Sequence, residues 1–510
     1  MPLYKWQLME NFSQLKNSNR RDIGFIVFLV ASFFFLVYNL EKSSDGLLNT
    51  SFNVEQTPTF LTHKEETSSV LVIIAHGFGG SSNFMKSLSN SIATAGHRTV
   101  RFDLLGHGIN PVAFSGDVSN SEGPSVQFIN QLNSVIDFYK IKFSPSHIVL
   151  VGHSMATDII IRTAATRRDI TSLIALSAYT NKKLTEKIPN IFVLNGEWEN
   201  NLVKKTKELF ISSGIKNPEL NKIYFEPKTN YLRKMSIIKN SEHVGILYMP
   251  NTQQEIGEWF VELGLSEHPH QINHIGLLLL CTLFNLFVLF LFLIKFFPKK
   301  KSFGLTLYKT RFFTFIIVVL LLPFLQFMSP FKVTDFLVFN YLISFFFIVG
   351  TLSYFLTPVS FRNGVIDSFN IYSFFFLIFF FIGLFGYIID NYVSTFIGDG
   401  GRINIFCFFL VPCFLFSLSA QKLYQVKNYW VYLNIFKLSI VISLGVAIFL
   451  NFDDLFLLSY AILILLLYWI LFGFLSSLFN RRYFYFLSNS LSNGVILAWT
   501  LSTTLPLYSL

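Results

Sequence analysis

Long apolar segments recur along this chain, and they constrain its architecture more than any other feature. A helix needs about 20 predominantly apolar residues to cross the hydrocarbon core of a bilayer. The composition agrees, because 52% of the 510 residues are hydrophobic and only 14% are charged, whereas soluble domains carry about 25% charged residues. The sequence therefore predicts a multi-pass membrane protein with spans near residues 23–40, 272–297, 311–329, 334–356, 368–390, 403–420, 430–450, 454–478 and 487–508.

The first apolar segment, residues 23–40, is predicted to be a membrane anchor that the mature protein keeps. Basic residues precede it, which is common to signal peptides and anchors. No small-x-small cleavage site follows, since the next residues are EKSS. We therefore expect a cytoplasmic tail at 1–22, a transmembrane anchor at 23–40, a polar linker with one edge strand at 41–69, and a membrane domain of about eight helices at 272–510.

The placement of the charges predicts the orientation in the membrane. Residues 41–270 hold 22 basic and 22 acidic side chains, so the net charge of +10 comes entirely from the rest of the chain. Basic residues cluster in alternate loops, for example at 299–301 and 481–482, and the positive-inside rule assigns such loops to the cytoplasm. The region before residue 272 and the C-terminus then lie outside the cytoplasm, with the cell membrane as the expected location. Nothing in this charge pattern favours binding to nucleic acid.

Residues 70–265 differ from the membrane segments, because short β-branched runs alternate there with longer amphipathic stretches. Alternating strands and helices predict an α/β fold with a mostly parallel, doubly wound sheet covered on both faces. The expected strands are residues 70–77, 99–103, 147–153, 172–177, 190–196 and 235–243.

The motif GHSMA, residues 152–156, lies between a predicted strand and a predicted helix. A serine on such a sharp strand-to-helix turn has its hydroxyl exposed and its backbone strained, as a nucleophile requires. Ser154 is therefore the candidate nucleophile. Ala156 stands where Gly-x-Ser-x-Gly has its last glycine, and one extra methyl group still permits the turn.

Two further motifs follow earlier strands, AHGFGGS at residues 75–81 and DLLGHG at 103–108. The glycine-rich turn of the first motif is expected to face the nucleophile. The backbone amides of Phe78 and Met155 would then bind the oxyanion of a tetrahedral intermediate.

With these three motifs, residues 70–265 resemble the α/β-hydrolase superfamily, in particular its branch of esterases, lysophospholipase-like enzymes and serine aminopeptidases. The resemblance covers about two-fifths of the chain and implies the order nucleophile, acid, histidine. It assigns the histidine to His243, after the last predicted strand, whereas His268, His270 and His274 are expected at the membrane interface. It places the acid three residues after Gly196, at Glu199, where the family usually has aspartate.

Two other carboxylates compete with Glu199 for the acid role, Glu197 and, less favourably, Glu242. The acid must hold the imidazole in the correct tautomer and stabilise the imidazolium. Many members of this fold insert a cap before the acid, but here residues 178–189 are too few for a sizeable lid.

No cofactor or metal is expected. The histidines near the motifs lack a fixed ligand spacing, and no phosphate-binding Gly-x-x-x-x-Gly-Lys loop is present. Cys281, Cys407 and Cys413 all lie in apolar segments, so the α/β region has no cysteine for a disulfide or a metal site.

The sequence predicts a membrane-bound serine hydrolase that cleaves an ester, thioester or amide through an acyl-enzyme on Ser154. Its expected partners are the lipid bilayer and a membrane lipid or amphipathic ester substrate; the sequence carries no indication of an oligomeric state. An acyltransferase that passes the acyl group to a lipid or glycan hydroxyl is one alternative. A non-catalytic receptor or transporter with a hydrolase-like ectodomain is the other.

The orientation is tested with single cysteines placed at Asn49 and Lys300 in a chain whose three native cysteines are replaced. A membrane-impermeant thiol reagent added outside intact cells should label the cysteine at 49, and the cysteine at 300 should react only after permeabilisation. Labelling of both positions from the same side would contradict the N-in, C-out topology.

Overall fold

The computed structural model describes residues 20–116, 122–226, 229–267, 269–298, 307–328, 332–355, 369–398, 400–483 and 485–509. The chain divides into two compact units. We call residues 36–281 with 389–395 the sheet unit, and the described residues among 1–35, 282–388 and 396–510 the helical unit.

The sheet unit is built on nine strands, numbered here in chain order: β1 Leu48–Val54, β2 Thr57–His63, β3 Val70–Ala75, β4 Arg98–Phe102, β5 His147–His153, β6 Ser172–Leu176, β7 Asn190–Gly196, β8 Ile223–Phe225 and β9 Leu232–Ile238. Their spatial order is β1-β2-β4-β3-β5-β6-β7-β9-β8. The six strands from β4 to β9 in this order run parallel, whereas β1, β2 and β8 are antiparallel to their neighbours. The predicted mostly parallel sheet is confirmed, and all six predicted strands lie in its parallel part.

The described α-helices are numbered here in chain order. They are α1 Arg20–Lys42, α2 Lys86–Thr94, α3 Gly123–Phe143, α4 Ala156–Thr166, α5 Asn200–Ser212, α6 Pro250–Glu262, α7 Ile275–Leu293, α8 Lys309–Met328, α9 Leu337–Phe355, α10 Ile371–Ile378, α11 Gly386–Tyr392, α12 Gly400–Leu423, α13 Tyr429–Leu450, α14 Phe452–Leu455, α15 Leu458–Tyr468, α16 Phe474–Tyr483 and α17 Phe486–Thr504. Residues 177–189 contain neither helix nor strand, so the sheet unit has no large cap at this connection, as predicted.

Both faces of the sheet are buried. Alternate residues of a strand point to opposite faces, and every residue of β3 is buried. On one face, Val72 and Ile74 of β3 belong to a core that includes Leu88 of α2 and Trp259 of α6. On the other face, Leu71 and its neighbours are also fully buried. Burial on both faces explains why the central strands are nearly continuous apolar runs.

Residues 41–69, predicted as a polar linker with one edge strand, contain two strands, since β1 and β2 form a hairpin at the edge of the sheet. β2 contains polar threonines that are nevertheless buried, and each is hydrogen-bonded. Thr59 Oγ1 lies 2.7 Å from Tyr139 Oη, and Thr62 donates to Asn49 Oδ1 at 2.7 Å. The polar composition of β2 therefore led to the wrong prediction of a linker where the structure has a buried strand.

In the part of the chain that the structure describes, seven helical stretches are long and apolar enough to cross a membrane. They are Arg21–Lys42, Ile275–Phe296, Leu337–Phe355, Ile371–Tyr392, Gly400–Leu423, Tyr429–Leu450 and Leu458–Phe479. Each coincides with a predicted span, which supports a membrane protein. The other two predicted spans are helical too, as α8 and α17, but they are not among the seven.

Helix α12 packs closely against α9 and α17 within the helical unit. A Cβ atom on Gly350 of α9 would lie only 2.4 Å from Leu415 Cβ, and one on Gly494 of α17 only 2.6 Å from Phe414 Cα. Small residues at such crossings let membrane helices approach each other closely. The polar residues of α17 are correspondingly buried, for example Asn489 and Asn493.

His270, expected at a membrane interface, is instead buried in the sheet unit; His268 lies outside the described residues and His274 is exposed. The His270 ring packs 4.7 Å from that of Phe260 and 5.6 Å from that of His97. Neither of its ring nitrogens has a hydrogen-bond partner among the described residues. Burial lowers the pKa of His270 to about 3 and that of His97 to about 4.

These buried histidines should make the sheet unit sensitive to acid. The unfolded chain takes up a proton near pH 6.5 and folded His270 does not, so stability falls as the pH drops below 6.5. At pH 5 this loss amounts to about 2 kcal/mol for His270 alone. We expect His270→Phe to flatten the decrease in melting temperature of the full-length protein between pH 7.5 and 5. An unchanged pH dependence would show that His270 does not titrate on unfolding.

Candidate active site

Ser154 occupies a strained turn between β5 and α4. Its φ angle is +53°, a left-handed conformation that non-glycine residues rarely adopt. The turn is held on both sides: the Ser154 amide donates to the Leu176 carbonyl at 2.9 Å, and the Thr157 hydroxyl donates to the Ser154 carbonyl at 2.6 Å. These hydrogen bonds therefore stabilise a backbone conformation that serine would otherwise rarely adopt.

Gly152, rather than position 156, is where the turn needs a glycine. A Cβ atom on Gly152 would lie 2.7 Å from the Ala156 carbonyl oxygen, inside van der Waals contact. Ala156 is itself fully buried at the start of α4. The structure thus accommodates the methyl group that departs from the usual motif.

Ser154, His243 and Glu199 form one chain of hydrogen bonds. The Ser154 Oγ atom lies 2.8 Å from His243 Nε2, and His243 Nδ1 lies 2.6 Å from Glu199 Oε1. The carboxylate accepts only if Nδ1 carries the hydrogen, which leaves Nε2 free to accept from the serine hydroxyl. The three residues follow β5, β9 and β7, whose carboxyl ends meet at one edge of the parallel sheet. The structure therefore brings the three predicted residues together, and their catalytic roles remain a prediction.

The second oxygen of Glu199 is also fully engaged. Oε2 accepts from the Ser177 hydroxyl and from the Gly196 amide, both at 2.7 Å. Burial alone would raise the pKa of Glu199, but the hydrogen bonds from His243, Ser177 and Gly196 outweigh it and lower this pKa. Glu199 is therefore a charged carboxylate with its orientation fixed at both oxygens.

The two competing carboxylates bind backbone amides instead. Glu197 accepts from the Asn240 amide at 2.9 Å. Glu242 accepts from the Val244 amide at 2.8 Å and from the Gly245 amide at 2.5 Å. Both side chains stabilise the turn around residues 240–245, and the hydrogen bond to His243 Nδ1 comes from neither.

Two residues that hydrogen-bond to His243 and Glu199, namely His153 and Ser177, were not predicted from the sequence. His153 Nε2 donates to the His243 carbonyl at 2.7 Å, which positions the histidine backbone. Burial lowers the pKa of His153 to about 4, so this ring stays neutral. Ser177 lies at the carboxyl end of β6, between the strands that Ser154 and Glu199 follow. That position was the available signal, because side chains at this edge of the sheet converge.

The turn after β3 lies against Ser154. A Cβ atom on Gly77 would be 3.0 Å from Ser154 Cβ and 2.9 Å from His153 Nδ1, so only glycine fits there. Phe78 is the next residue, and Met155 directly follows Ser154. The structure thus brings together the two segments whose amides are predicted to bind the oxyanion, and that role stays a prediction.

The motifs HGFGGS and DLLGHG hold each other in place. His76 donates from Nδ1 to the Gly77 carbonyl at 2.7 Å and accepts the Leu104 amide at Nε2, 3.1 Å away. Burial lowers the pKa of His76, which keeps the ring neutral as this pattern requires. The Asp103 carboxylate accepts from the amides of Ser82 at 2.7 Å and Ile109 at 3.0 Å.

The comparisons with known proteins agree with this fold. Residues 66–245 match the family model described as serine aminopeptidase S33. No curated protein shows significant similarity to the chain.

Many solved structures are similar to the chain, at low identity. A dienelactone hydrolase from Anabaena variabilis is 14% identical, covering 42% of this chain and 98% of its own, with a TM-score of 0.31. An epoxide hydrolase from Vigna radiata is 11% identical, covering 43% and 97%, with a TM-score of 0.31. A candidate lipase from Acinetobacter baumannii is 13% identical, covering 46% and 96%, with a TM-score of 0.33. Values this low carry no inference about a substrate.

Substitution of the carboxylates tests the assignment of the acid. Glu199→Gln keeps the size of the side chain but removes the charge that orients and stabilises protonated His243. We expect kcat for an activated ester to fall by about 10⁴, as when other serine triads lose this carboxylate. The matched control Glu197→Gln should change kcat by less than about tenfold, since it only loosens a turn. The opposite ranking would transfer the acid role to Glu197.

Proposed function

Because residues 66–245 form an α/β-hydrolase domain, we propose that this hydrolase is a membrane-bound serine esterase that acts through an acyl-enzyme on Ser154. The observation that carries the proposal is the hydrogen-bonded chain from Ser154 through His243 to Glu199. Each member has the partner that its role requires, and the geometry needs no rearrangement before substrate binds.

In the acylation step, Ser154 Oγ attacks the carbonyl carbon of the substrate while its proton passes to His243 Nε2. The carbonyl oxygen becomes an oxyanion, and the amides of Phe78 and Met155 are proposed to stabilise it. The tetrahedral intermediate collapses when the bond to the leaving group breaks, and His243 Nε2 gives its proton to that group. The products are a free alcohol and an ester on Ser154.

Deacylation repeats this sequence with water as the nucleophile. His243 Nε2 takes a proton from the water, and the second intermediate releases the carboxylic acid and restores the Ser154 hydroxyl. Glu199 stays ionised throughout, because its lowered pKa favours the carboxylate that stabilises the imidazolium. If a lipid or glycan hydroxyl replaces water at this step, the same site catalyses acyl transfer.

The apolar surface around the site supports an amphipathic substrate. Four large side chains beside the catalytic residues are exposed: Phe78 (36%), Tyr179 (49%), Trp198 (65%) and Val244 (39%). Trp198 precedes the acid and Val244 follows the histidine. Apolar surface patches commonly mark binding sites, and we propose that these four side chains form an apolar rim that binds an acyl chain. We place this site outside the cytoplasm, on the strength of the loop charges.

Labelling of Ser154 with a fluorophosphonate tests the serine chemistry. The full-length wild type in native membranes should react, and Ser154→Ala should not. Lack of labelling in the wild type would favour the non-catalytic receptor or transporter. Product analysis with and without an added long-chain alcohol separates hydrolysis from acyl transfer.

The proposed apolar rim predicts a dependence on acyl chain length. Each methylene buried against Trp198 and Val244 contributes about 0.8 kcal/mol, or roughly fourfold in kcat/KM. We expect kcat/KM of the wild type to rise between 4-carbon and 10-carbon p-nitrophenyl esters. Trp198→Ala should reduce the advantage of the longer ester and change hydrolysis of the shorter one little.

Phe225→Ala is the matched control, since Phe225 is also 65% exposed. It pairs with Leu232 at the amino end of β9, whereas the site lies at the carboxyl ends of the parallel strands. If Trp198→Ala keeps the wild-type chain-length profile, the rim does not bind the acyl chain and this part of the proposal fails.

A further inference from the structure

A short segment that lies far from the catalytic motifs in the sequence belongs to the sheet unit. Residues 389–395 are part of that unit, although residues 282–388 before them and 396–510 after them belong to the helical unit. We call these seven residues the 389–395 segment. None of the motifs that define the site predicts a role for it.

The segment makes two hydrogen bonds to residues 81–83, one to the last residue of the HGFGGS motif and one just beyond it. The Thr395 amide donates to Ser81 Oγ at 3.0 Å, and Asn83 Nδ2 donates to the Asp390 carbonyl at 2.5 Å. Ser81 is fully buried and Thr395 nearly so, so the first bond is shielded from water. A buried amide that lost this partner would be left unsatisfied, at a cost in stability.

Tyr392 anchors the middle of the segment. Its ring is 1% exposed, and its hydroxyl donates to Glu41 Oε1 at 2.7 Å. Its carbonyl accepts from the Tyr248 hydroxyl at 2.8 Å, and Lys86 Nζ lies 4.6 Å from the ring centroid. Side chains from separate parts of the sheet unit therefore fix the segment on which Ser81 depends.

These contacts matter because Ser81 follows Phe78 by three residues. Between them the chain makes a tight turn, in which the Gly80 amide donates to the Gly77 carbonyl at 3.1 Å. Asp103 holds the next amide, that of Ser82. An oxyanion donor works only when its N–H group is placed within a few tenths of an ångström, and a misplacement of about 1 Å costs on the order of 100-fold in rate.

We propose that the 389–395 segment is a positioning element for the loop that carries the Phe78 amide. The proposal rests on the serine hydrolase function proposed above. It assigns part of the catalytic efficiency to the last residues of the candidate membrane-spanning stretch Ile371–Tyr392 and the three residues that follow it. Ser81, Asn83 and Tyr392 are then positioning residues that act on the transition state without contacting the substrate.

The test measures kcat, KM and the affinity of a trifluoromethyl ketone inhibitor in full-length variants, with kcat normalised to fluorophosphonate-reactive protein. Ser81→Ala, Asn83→Ala and Tyr392→Ala should lower kcat by about 10- to 100-fold while KM stays within about twofold. Inhibitor affinity should fall in parallel with kcat, because its adduct with Ser154 carries an oxyanion.

Ser91→Ala is the matched control. Ser91 is as buried as Ser81, and its hydroxyl donates to the Gln271 carbonyl at 2.7 Å, away from the 389–395 segment. It should lower the melting temperature as Ser81→Ala does and leave kcat and inhibitor affinity unchanged.

The positioning role is overturned if Asn83→Ala and Tyr392→Ala melt at lower temperature but keep the wild-type kcat and inhibitor affinity. If Tyr392→Ala does not fold, Asn83→Ala decides. Failure of the hydrolase function gives a different result, since the wild type itself would then lack fluorophosphonate labelling at Ser154.

Discussion

The close approach of β5 to the start of α4 is the constraint on which the rest of the site depends. Only a glycine at position 152 lets the chain turn there, and the turn forces Ser154 into a left-handed conformation that exposes its hydroxyl. Two further contacts are made at this turn. Gly77 packs against the Ser154 side chain, and His243 Nε2 accepts a hydrogen bond from the Ser154 hydroxyl. Strain at Ser154 is offset by the buried parallel sheet on either side of it.

Charge at the site is controlled by burial and by backbone contacts. The neutral rings of His76 and His153 each hydrogen-bond a carbonyl, so these two histidines shape the site without titrating near neutral pH. Glu199 is an ionised carboxylate held by three donors. The Asp103 side chain accepts from the Ser82 amide and so ties the HGFGGS loop to the DLLGHG loop. His243 is half-exposed beside Ser154, where the proposed mechanism requires a proton acceptor.

Much of this was predictable from sequence, for identifiable reasons. The parallel strands are buried on both faces, so their apolar runs are unmistakable, and glycine motifs mark the turns after β3 and β5. The β1–β2 hairpin was missed because its buried threonines satisfy their hydroxyls within the fold, which composition does not reveal. His153 and the 389–395 segment were missed because their hydrogen bonds join residues distant in sequence, and such bonds leave no local pattern. Ser177 was missed although its place at the end of a parallel strand was a usable signal.

The central claim is that Ser154 carries the acyl group during turnover. Intact-mass and peptide analysis of the full-length protein, quenched in acid during steady-state hydrolysis of a slow ester, measures this directly. We predict a mass increase equal to the acyl group, located on the peptide that contains Ser154 and absent in Ser154→Ala. Continued turnover of the ester with no acyl group on Ser154, or with full activity in Ser154→Ala, would contradict it.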